Sequence, residues 1–162
     1  MRRALALGGA LLLVGALAGC TRTVSLTPAP AATDTACAGV VVRLPQTLGS
    51  AEKRETDAQG TGAWGDPVSV YLKCGLPSPG PSTLPCLTFE GVDWIERDLP
   101  NAAHVTHYEL TTFDRSPAVQ VVLDAKRIDS SDVLPAISDA VRAAIPHAVR
   151  HCTALPSATP TP

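Results

Sequence analysis

The segment VSVYLKC, residues 68–74, decides the fold class that we expect for this chain. Apolar residues occupy every second position, and polar or amphipathic residues lie between them. That two-residue period is typical of a strand with one buried face. The next eleven residues, GLPSPGPSTLP (residues 75–85), hold four prolines and two glycines, so they end the strand and form a turn region.

Three further segments towards the C-terminus predict strands. Cys86–Glu90 and Val92–Glu96 form one strand interrupted at Gly91, which we interpret as a bulge. Val105–Phe113 and Ala118–Ala125 are the other two. The connections between them are shorter than the dozen residues that a parallel crossover requires. We therefore expect an antiparallel sheet of about four strands.

A first helix is predicted from Thr35 to Leu44, because apolar residues recur there at three- and four-residue intervals. Thr33 or Asp34 can cap its start, and Pro45 ends it. The polar, glycine-containing residues 46–65 predict a long loop.

A closing helix is predicted from Val133 to Ile145, capped by Ser131 or Asp132. The expected fold is therefore α+β. A small sheet carries the N- and C-terminal helices on one face, and disulfides connect the parts.

The N-terminus has the layout of an exported precursor. Met1-Arg2-Arg3 is positively charged, and the apolar run Ala4–Leu17 is about 14 residues long, too short for a transmembrane helix of ~20 residues. Leu17-Ala18-Gly19-Cys20 resembles the bacterial lipobox, in which the cysteine receives a diacylglycerol. We therefore expect a lipoprotein signal peptide at residues 1–19, a lipidated Cys20, and a protein held on the extracytoplasmic face of the cell membrane.

An ordinary secretory cleavage site is the alternative, since Ala16-Leu17-Ala18 fits it and would release a protein that begins at Gly19. The number of cysteines favours lipidation. Five cysteines in an exported protein leave one odd thiol, whereas lipidation of Cys20 leaves four to pair.

Residues 20–33 contain Thr, Ser, Ala and Pro without apolar periodicity, and we interpret them as the lipidated N-terminus and a flexible tether. Residues 34–152 form a single domain, and residues 153–162 a disordered tail. Without Arg2 and Arg3 the chain has 11 Lys+Arg against 15 Asp+Glu. That mild acidity argues against a nucleic-acid partner. Nothing in the sequence indicates an oligomeric state.

Four cysteines allow three disulfide connectivities. Cys74 and Cys86 flank the proline-rich turn, so a bridge between them would clamp it. The remaining pair is Cys37 with Cys152, which would close nearly the whole domain and contribute up to ~4.7 kcal/mol in the chain-entropy model.

No familiar catalytic or phosphate-binding motif is present, and we expect neither catalytic residues nor a cofactor. A paired-carboxylate site built from Asp66, Glu90, Asp93 and Glu96 is a weaker alternative.

Two histidine pairs are candidates for a metal site. His147 and His151 are four residues apart, a helical spacing, but Pro146 precedes them and no third ligand is near. His104 and His107 are three apart on a strand and so face opposite sides. We expect no metal.

Four clusters stand out, and they follow the first helix in this order: AWGDP (63–67), Cys74-Gly75, GVDW (91–94) and TTFDRSPAV (111–119). In this pattern the chain resembles an actinobacterial envelope lipoprotein family of unknown function. The likeness covers Ala36 to about Val141. Lys73 stands where the family would have arginine, and Phe113-Asp114 where it would have Tyr-Gly. The family has no assigned reaction, so the resemblance implies a location and a domain extent only.

The clusters supply a candidate binding surface of Trp64, Asp66, Asp93, Trp94 and Arg115. In the alternative interpretation both tryptophans are core residues and the charged residues form a buried ion-pair network. The function that we expect is a non-enzymatic envelope module that binds a protein or a cell-wall component. A wall-acting enzyme that uses Asp/Glu and Arg115, and a metal-binding lipoprotein that uses His147 and His151, are the alternatives.

Overall fold

The computed structural model describes residues 22–100, 106–145, 148 and 150–152. Within these ranges the chain forms two helices and eight strands. Their bounds in chain order are α1 Thr35–Val41, β1 Thr47–Leu48, β2 Ala51–Arg54, β3 Thr61–Trp64, β4 Val70–Leu76, β5 Cys86–Phe89, β6 Val92–Pro100, β7 Thr106–Thr112, β8 Ala118–Asp124 and α2 Ser130–Ala144.

The strands form one eight-stranded sheet in the order β1-β2-β3-β4-β8-β7-β6-β5, and every pair of neighbours is antiparallel. The expectation of a small sheet of about four strands, with the N- and C-terminal helices packed on one face, is therefore wrong. The sheet is twice that size, and β1, β2 and β3 extend it beyond β4.

The three missing strands lie in residues 46–65, which the sequence predicted as a loop. β1 and β2 are only two and four residues long, and most of the side chains of β2 are polar. β3 contains Gly62, yet all four of its residues are buried. Strands this short, with polar or glycine positions, carry too few apolar residues to show a two-residue period.

The predicted bulge at Gly91 is a hairpin instead. Glu90 and Gly91 have φ values of 48° and 71°, and they connect β5 to β6 with Phe89 paired to Val92. A two-residue loop with positive φ at both positions matches the twist of an antiparallel pair. The break in the apolar pattern was therefore a chain reversal.

Both tryptophans lie in the core between the sheet and the helices. Trp64 and Trp94 are completely buried. Each indole N–H has an acceptor: Trp64 Nε1 donates to the carbonyl of Pro45 at 3.0 Å, and Trp94 Nε1 to Ser138 Oγ on α2 at 2.9 Å. Hydrogen bonding of both indoles makes their full burial favourable.

The two helices begin close to the predicted positions. Asp34 caps α1 by accepting a hydrogen bond from the amide of Ala36 at 2.8 Å, as one of the two predicted caps would do. α1 ends at Val41, three residues earlier than predicted, and α2 begins at Ser130, three residues earlier than predicted. In the part of the chain that the structure describes, no helix is long and apolar enough to cross a membrane.

All four cysteines of the domain form disulfides, but the predicted pairing is wrong. The bonds are Cys37–Cys74 and Cys86–Cys152. Three strands separate β4 from β5 in the sheet, which places them about 19 Å apart at ~4.8 Å per strand. Cys74 and Cys86 are therefore too distant for a bond that needs Cα atoms within about 7 Å.

Residues 22–33, predicted as a flexible tether, are hydrogen-bonded along the domain. We call them the N-terminal strap. The amide of Val24 donates to the carbonyl of Glu55 at 2.8 Å, that of Leu26 to Asp57 Oδ1 at 2.9 Å, and that of Ala31 to the carbonyl of Gly75 at 3.0 Å. These bonds show that the segment is part of the folded domain.

Glycines on the domain make room for the strap. A Cβ atom on Gly75 would lie 2.4 Å from the backbone carbon of Ala31, and one on Gly60 would lie 3.0 Å from the carbonyl oxygen of Ala32. Both glycines also have positive φ, 110° and 66°, which disfavours other residues there. The strap can therefore lie this close to the domain because neither position carries a side chain.

Candidate functional site

The structure does not place the five candidate residues on one surface. Trp64 and Trp94 belong to the core and present no exposed atoms to a ligand. Asp66 is exposed and lies after β3, where it pairs with Arg54 at 3.4 Å. Asp93 lies on β6, four strands away from β3, or about 19 Å. Asp66 and Asp93 are therefore separate features.

Asp93 is the centre of a cluster on the sheet face opposite the helices. Along β6 the side chains alternate: Trp94 faces the core, so Asp93 and Ile95 face the other side. We define the Asp93 cluster as Asp93 with Thr88, His151, Cys152 and Cys86.

The carboxylate of Asp93 accepts three hydrogen bonds although it is only 5% exposed. Thr88 Oγ1 donates to Oδ1 at 2.6 Å, the amide of Cys152 donates to Oδ2 at 2.9 Å, and His151 Nδ1 lies 3.2 Å from Oδ2. Thr88 is the cross-strand neighbour of Asp93 on β5. The cluster thus connects the β5–β6 hairpin to the C-terminal end of the domain.

Burial alone would raise the pKa of Asp93, because a charged carboxylate loses solvation. The hydrogen bonds from Thr88, Cys152 and His151, together with the charge of His151, outweigh burial and lower the pKa below its ordinary value. Asp93 is therefore an ionised carboxylate that is occupied as an acceptor, an arrangement suited to holding structure rather than to donating a proton.

Arg115 lies beside the cluster and is 3% exposed. Its guanidinium donates to the carbonyl of Ile145, where α2 ends, and to the carbonyl of Gly91 at 3.2 Å. Burial lowers its pKa, and the charge of Asp93 acts in the opposite direction. Arg115 therefore fixes the end of α2 against the hairpin through backbone carbonyls, whereas the alternative interpretation expected it in an ion-pair network with Asp66 and Asp93.

An ion pair between Arg150 and Asp114 also attaches the C-terminal segment, next to the contact between His151 and Asp93. Arg150 contacts Asp114 through its side chain at 2.6 Å and through its amide at 2.7 Å. The Arg150 guanidinium also lies over the ring of Phe113, 5.6 Å from its centroid, within cation–π range. Thr88 and Arg150 were not predicted as site residues, and His151 was considered only as a metal ligand with His147, because no spacing pattern connects residues brought together from such distant parts of the chain.

An open cleft of about 550 Å³ lies next to the Asp93 cluster. Its walls combine polar and apolar groups in similar measure, and the polar side chains belong to Ser82, Thr83, Thr88 and His151. The main apolar contributors are Pro81, Leu84, Pro85, Ile95 and Phe113. A concave surface that combines apolar side chains with polar groups is a common form of a binding site.

The carboxylates proposed for acid–base chemistry do not meet in this cleft. Glu96 has a raised pKa because of burial and the nearby charge of Asp98. It is three positions from Asp93 on β6, so the two side chains face opposite sides of the sheet. The pair Asp93 and Glu96 therefore lacks the geometry of a two-carboxylate site.

Three ligand-type atoms of the cluster lie within 4.8 Å of one another, on Cys86, Asp93 and Cys152. The two sulfur atoms are bonded to each other in a disulfide, whereas a metal binds the thiolate form of cysteine. Cys86 and Cys152 are therefore joined covalently, and neither offers a thiolate to a metal. His104 and His147 of the predicted histidine pairs lie outside the described residues.

Replacing Asp93 by asparagine is expected to lower the free energy of unfolding by about 1–3 kcal/mol at neutral pH, because an amide offers one acceptor oxygen where the carboxylate offers two. The folded-state pKa lies below the unfolded value. The stabilisation is therefore complete above the unfolded pKa of about 3.9 and is lost as pH falls through the folded pKa. Urea unfolding of wild type and Asp93→Asn, from about pH 7 down to about pH 2, measures both effects.

Asp98→Asn is the matched control, since Asp98 lies on the same strand and is exposed. It is expected to change stability by less than about 0.5 kcal/mol. Equal stabilities of wild type and Asp93→Asn at neutral pH would show that the Asp93 carboxylate does not hold the cluster.

Residues 4–149 match the model of a protein family described as "Protein of unknown function (DUF3515)". The chain belongs to this family. The match covers about nine tenths of the sequence, so it includes both ends of the sheet, the strap and the Asp93 position. The predicted membership of a family of unknown function is confirmed at this level.

No curated protein and no solved structure matched the chain. The family carries no activity that could be transferred to these residues. What the domain does must therefore be inferred from its own chemistry.

Proposed function

We propose that this protein is a lipid-anchored module of the bacterial cell envelope, attached to the outer face of the membrane through a diacylglycerol on Cys20. One observation carries the proposal. The chain has five cysteines, and four of them pair as Cys37–Cys74 and Cys86–Cys152. Cys20 therefore has no cysteine of the same chain to pair with, and it stands at the end of a lipobox-like sequence.

The disulfides also support the compartment. Bonds of this kind form and persist in oxidising surroundings outside the cytoplasm, where an exported precursor would fold. The leader before Cys20 has the charged, apolar and small-residue regions of an export signal. Two acyl chains on a single residue would suffice for stable anchoring.

We propose further that the domain is a binding or accessory module rather than an enzyme. Its charged residues Asp93 and Arg115 are committed to neighbouring backbone groups and side chains. The cleft beside them is open and lined by both apolar and polar side chains, a form suited to binding an envelope protein or a cell-wall component.

The anchor is tested by replacing Cys20 with alanine in the producing bacterium. The wild-type protein is expected in the membrane fraction and the Cys20→Ala protein in the soluble or secreted fraction, because the acyl chains are the only membrane attachment that we propose. Immunoblots of separated fractions measure the distribution.

Ser25→Ala is a suitable control, since it changes a neighbouring polar residue and leaves the lipobox-like sequence intact. It is expected to stay in the membrane fraction. A Cys20→Ala protein that remains in the membrane fraction after a salt wash would contradict lipid anchoring through this residue.

A further inference from the structure

The N-terminal strap fixes how far the domain can stand from its anchor. The first described residue, Arg22, already contacts the domain, because its carbonyl accepts a hydrogen bond from Arg54 Nη2 at 2.8 Å. Val24 then pairs with Thr56 in a β-bridge. Only Thr21 lies between Cys20 and Arg22, and the two steps along the chain reach at most about 7 Å.

Further along, the strap is held at several independent points. Asp57 accepts the amide of Leu26, and hydrogen bonds from Ser25 and Leu26 lower the pKa of Asp57, so the contact uses an ionised carboxylate. Ala29 and Ala32 are buried against the domain. The strap therefore cannot act as the long spacer that its composition suggested.

The domain surface beside Arg22 is built around Arg54. Its guanidinium bonds the carbonyls of Arg22 and Gly65 and pairs with Asp66. The turn after β3, which contains the exposed Asp66 and Pro67, thus lies next to the point where the strap enters. We call Arg54 with the Gly65–Pro67 turn the strap-entry face.

We infer that this domain lies directly against the bilayer, with the strap-entry face at the lipid headgroups; the inference rests on the proposed lipidation of Cys20. The partner of this face is a phospholipid surface. Arg54 and Asp66 offset each other's charge, so the covalent attachment, not electrostatic attraction, sets the contact. The AWGDP cluster, which carries Asp66, thereby acquires a place at the membrane.

The same geometry places the cleft away from the anchor. Cleft residues Ile95 and Thr88 lie on β6 and β5, whereas Arg54 lies on β2. β6 is five strands from β2 in the sheet, or about 24 Å. The sheet, rather than the strap, would therefore hold the cleft at a distance from the membrane. The cleft would remain free for an envelope partner.

Photo-crosslinking tests this arrangement with the lipidated full-length mature protein. The protein is reconstituted into phosphatidylcholine vesicles that contain a phospholipid with a photoreactive headgroup, and crosslinked peptides are identified by mass spectrometry. Crosslinks are expected on the strap-entry face and absent from the proline-rich cleft wall at Pro81–Pro85. The pattern is expected to persist at 1 M salt, because covalent attachment is not screened.

An insertion provides the matched control. About 20 Gly/Ser residues placed between Thr21 and Arg22 add an r.m.s. length of roughly 25 Å. Crosslinking of the strap-entry face is expected to fall about tenfold or more, since effective concentration decreases steeply with linker length. An unchanged yield after insertion, or equal crosslinking of the cleft wall and the strap-entry face, would overturn the inference.

Hydrogen exchange separates failure of the inference from failure of the proposed anchor. In the wild-type protein the amides of Val24, Leu26 and Ala31 are expected to be protected. Asp57→Ala removes an acceptor on an exposed residue and is expected to expose Leu26, whereas Asp57→Asn keeps an acceptor oxygen and much of that protection. Free-chain exchange rates in the wild type would overturn the inference. A protected strap in a wild-type protein that the producing bacterium leaves without lipid would instead refute the anchor and leave the strap geometry intact.

Discussion

Replacing Gly75 with alanine is expected to lower the free energy of unfolding by about 2–6 kcal/mol. Two costs add. Gly75 has φ near 110°, where a residue with a Cβ is strained by about 1–3 kcal/mol. The new Cβ would also lie 2.4 Å from the backbone of Ala31, and overpacking of that kind costs about 1–3 kcal/mol. Chemical denaturation measures the loss.

Two other glycines separate these costs. Gly91 has φ of 71° with no atom within 4 Å of its added Cβ, and Gly80 has neither positive φ nor a close neighbour. Gly91→Ala is therefore expected to lose about 1 kcal/mol from backbone strain alone, and Gly80→Ala less than about 0.5 kcal/mol. A Gly75→Ala protein no less stable than Gly91→Ala would show that the strap does not pack on Gly75.

Replacing Cys37 and Cys74 together by alanine is expected to cost about 4 kcal/mol. The bond closes 37 residues of sequence, and the chain-entropy relation gives about 4 kcal/mol for a loop of that size. Both cysteines are also completely buried, so truncation leaves a small cavity in the core. Thermal and urea unfolding of the oxidised wild type and the double variant measure the difference.

The Cys86→Ala/Cys152→Ala double variant is the matched comparison. Its disulfide closes a longer loop of 66 residues, but its cysteines are only half-buried and leave no core cavity. It is expected to release residues 150–152 while the core stays folded. If the Cys37/Cys74 variant were as stable as wild type, the assigned pairing would be wrong.

Regular alternation predicted the strands that it covered. VSVYLKC shows apolar residues at every second position, and β4 occurs there with a shift of two residues towards the C-terminus. The predicted strand Ala118–Ala125 matches β8 except for its last residue. The Asp34 cap of α1 was predictable for the same reason, since it depends on adjacent residues. Features that depend only on residues adjacent in the sequence could therefore be predicted.

Features that depend on distant residues could not be predicted. The pairing of Cys74 depends on the strand order, which places β8 rather than β5 beside β4. The docking of the strap depends on space left at Gly60 and Gly75, which a proline- and alanine-rich segment does not reveal. The Asp93 cluster likewise joins residues more than 50 positions apart.

The candidate binding surface shows the same division. Trp64, Trp94 and Arg115 were recognised as notable residues, but burial decides their role, and burial comes from the whole fold. Asp93 keeps a place beside a cleft, and Asp66 lies with Arg54 on the strap-entry face. The motifs therefore marked important positions without indicating which of them are accessible.

The most direct test of the account is the mass of the N-terminal peptide of the mature protein, extracted from membranes of the producing bacterium. The account predicts a peptide that begins at Cys20 and carries a diacylglycerol on its sulfur. A peptide that begins at Gly19, with an unmodified Cys20 and the protein in the secreted fraction, would contradict it.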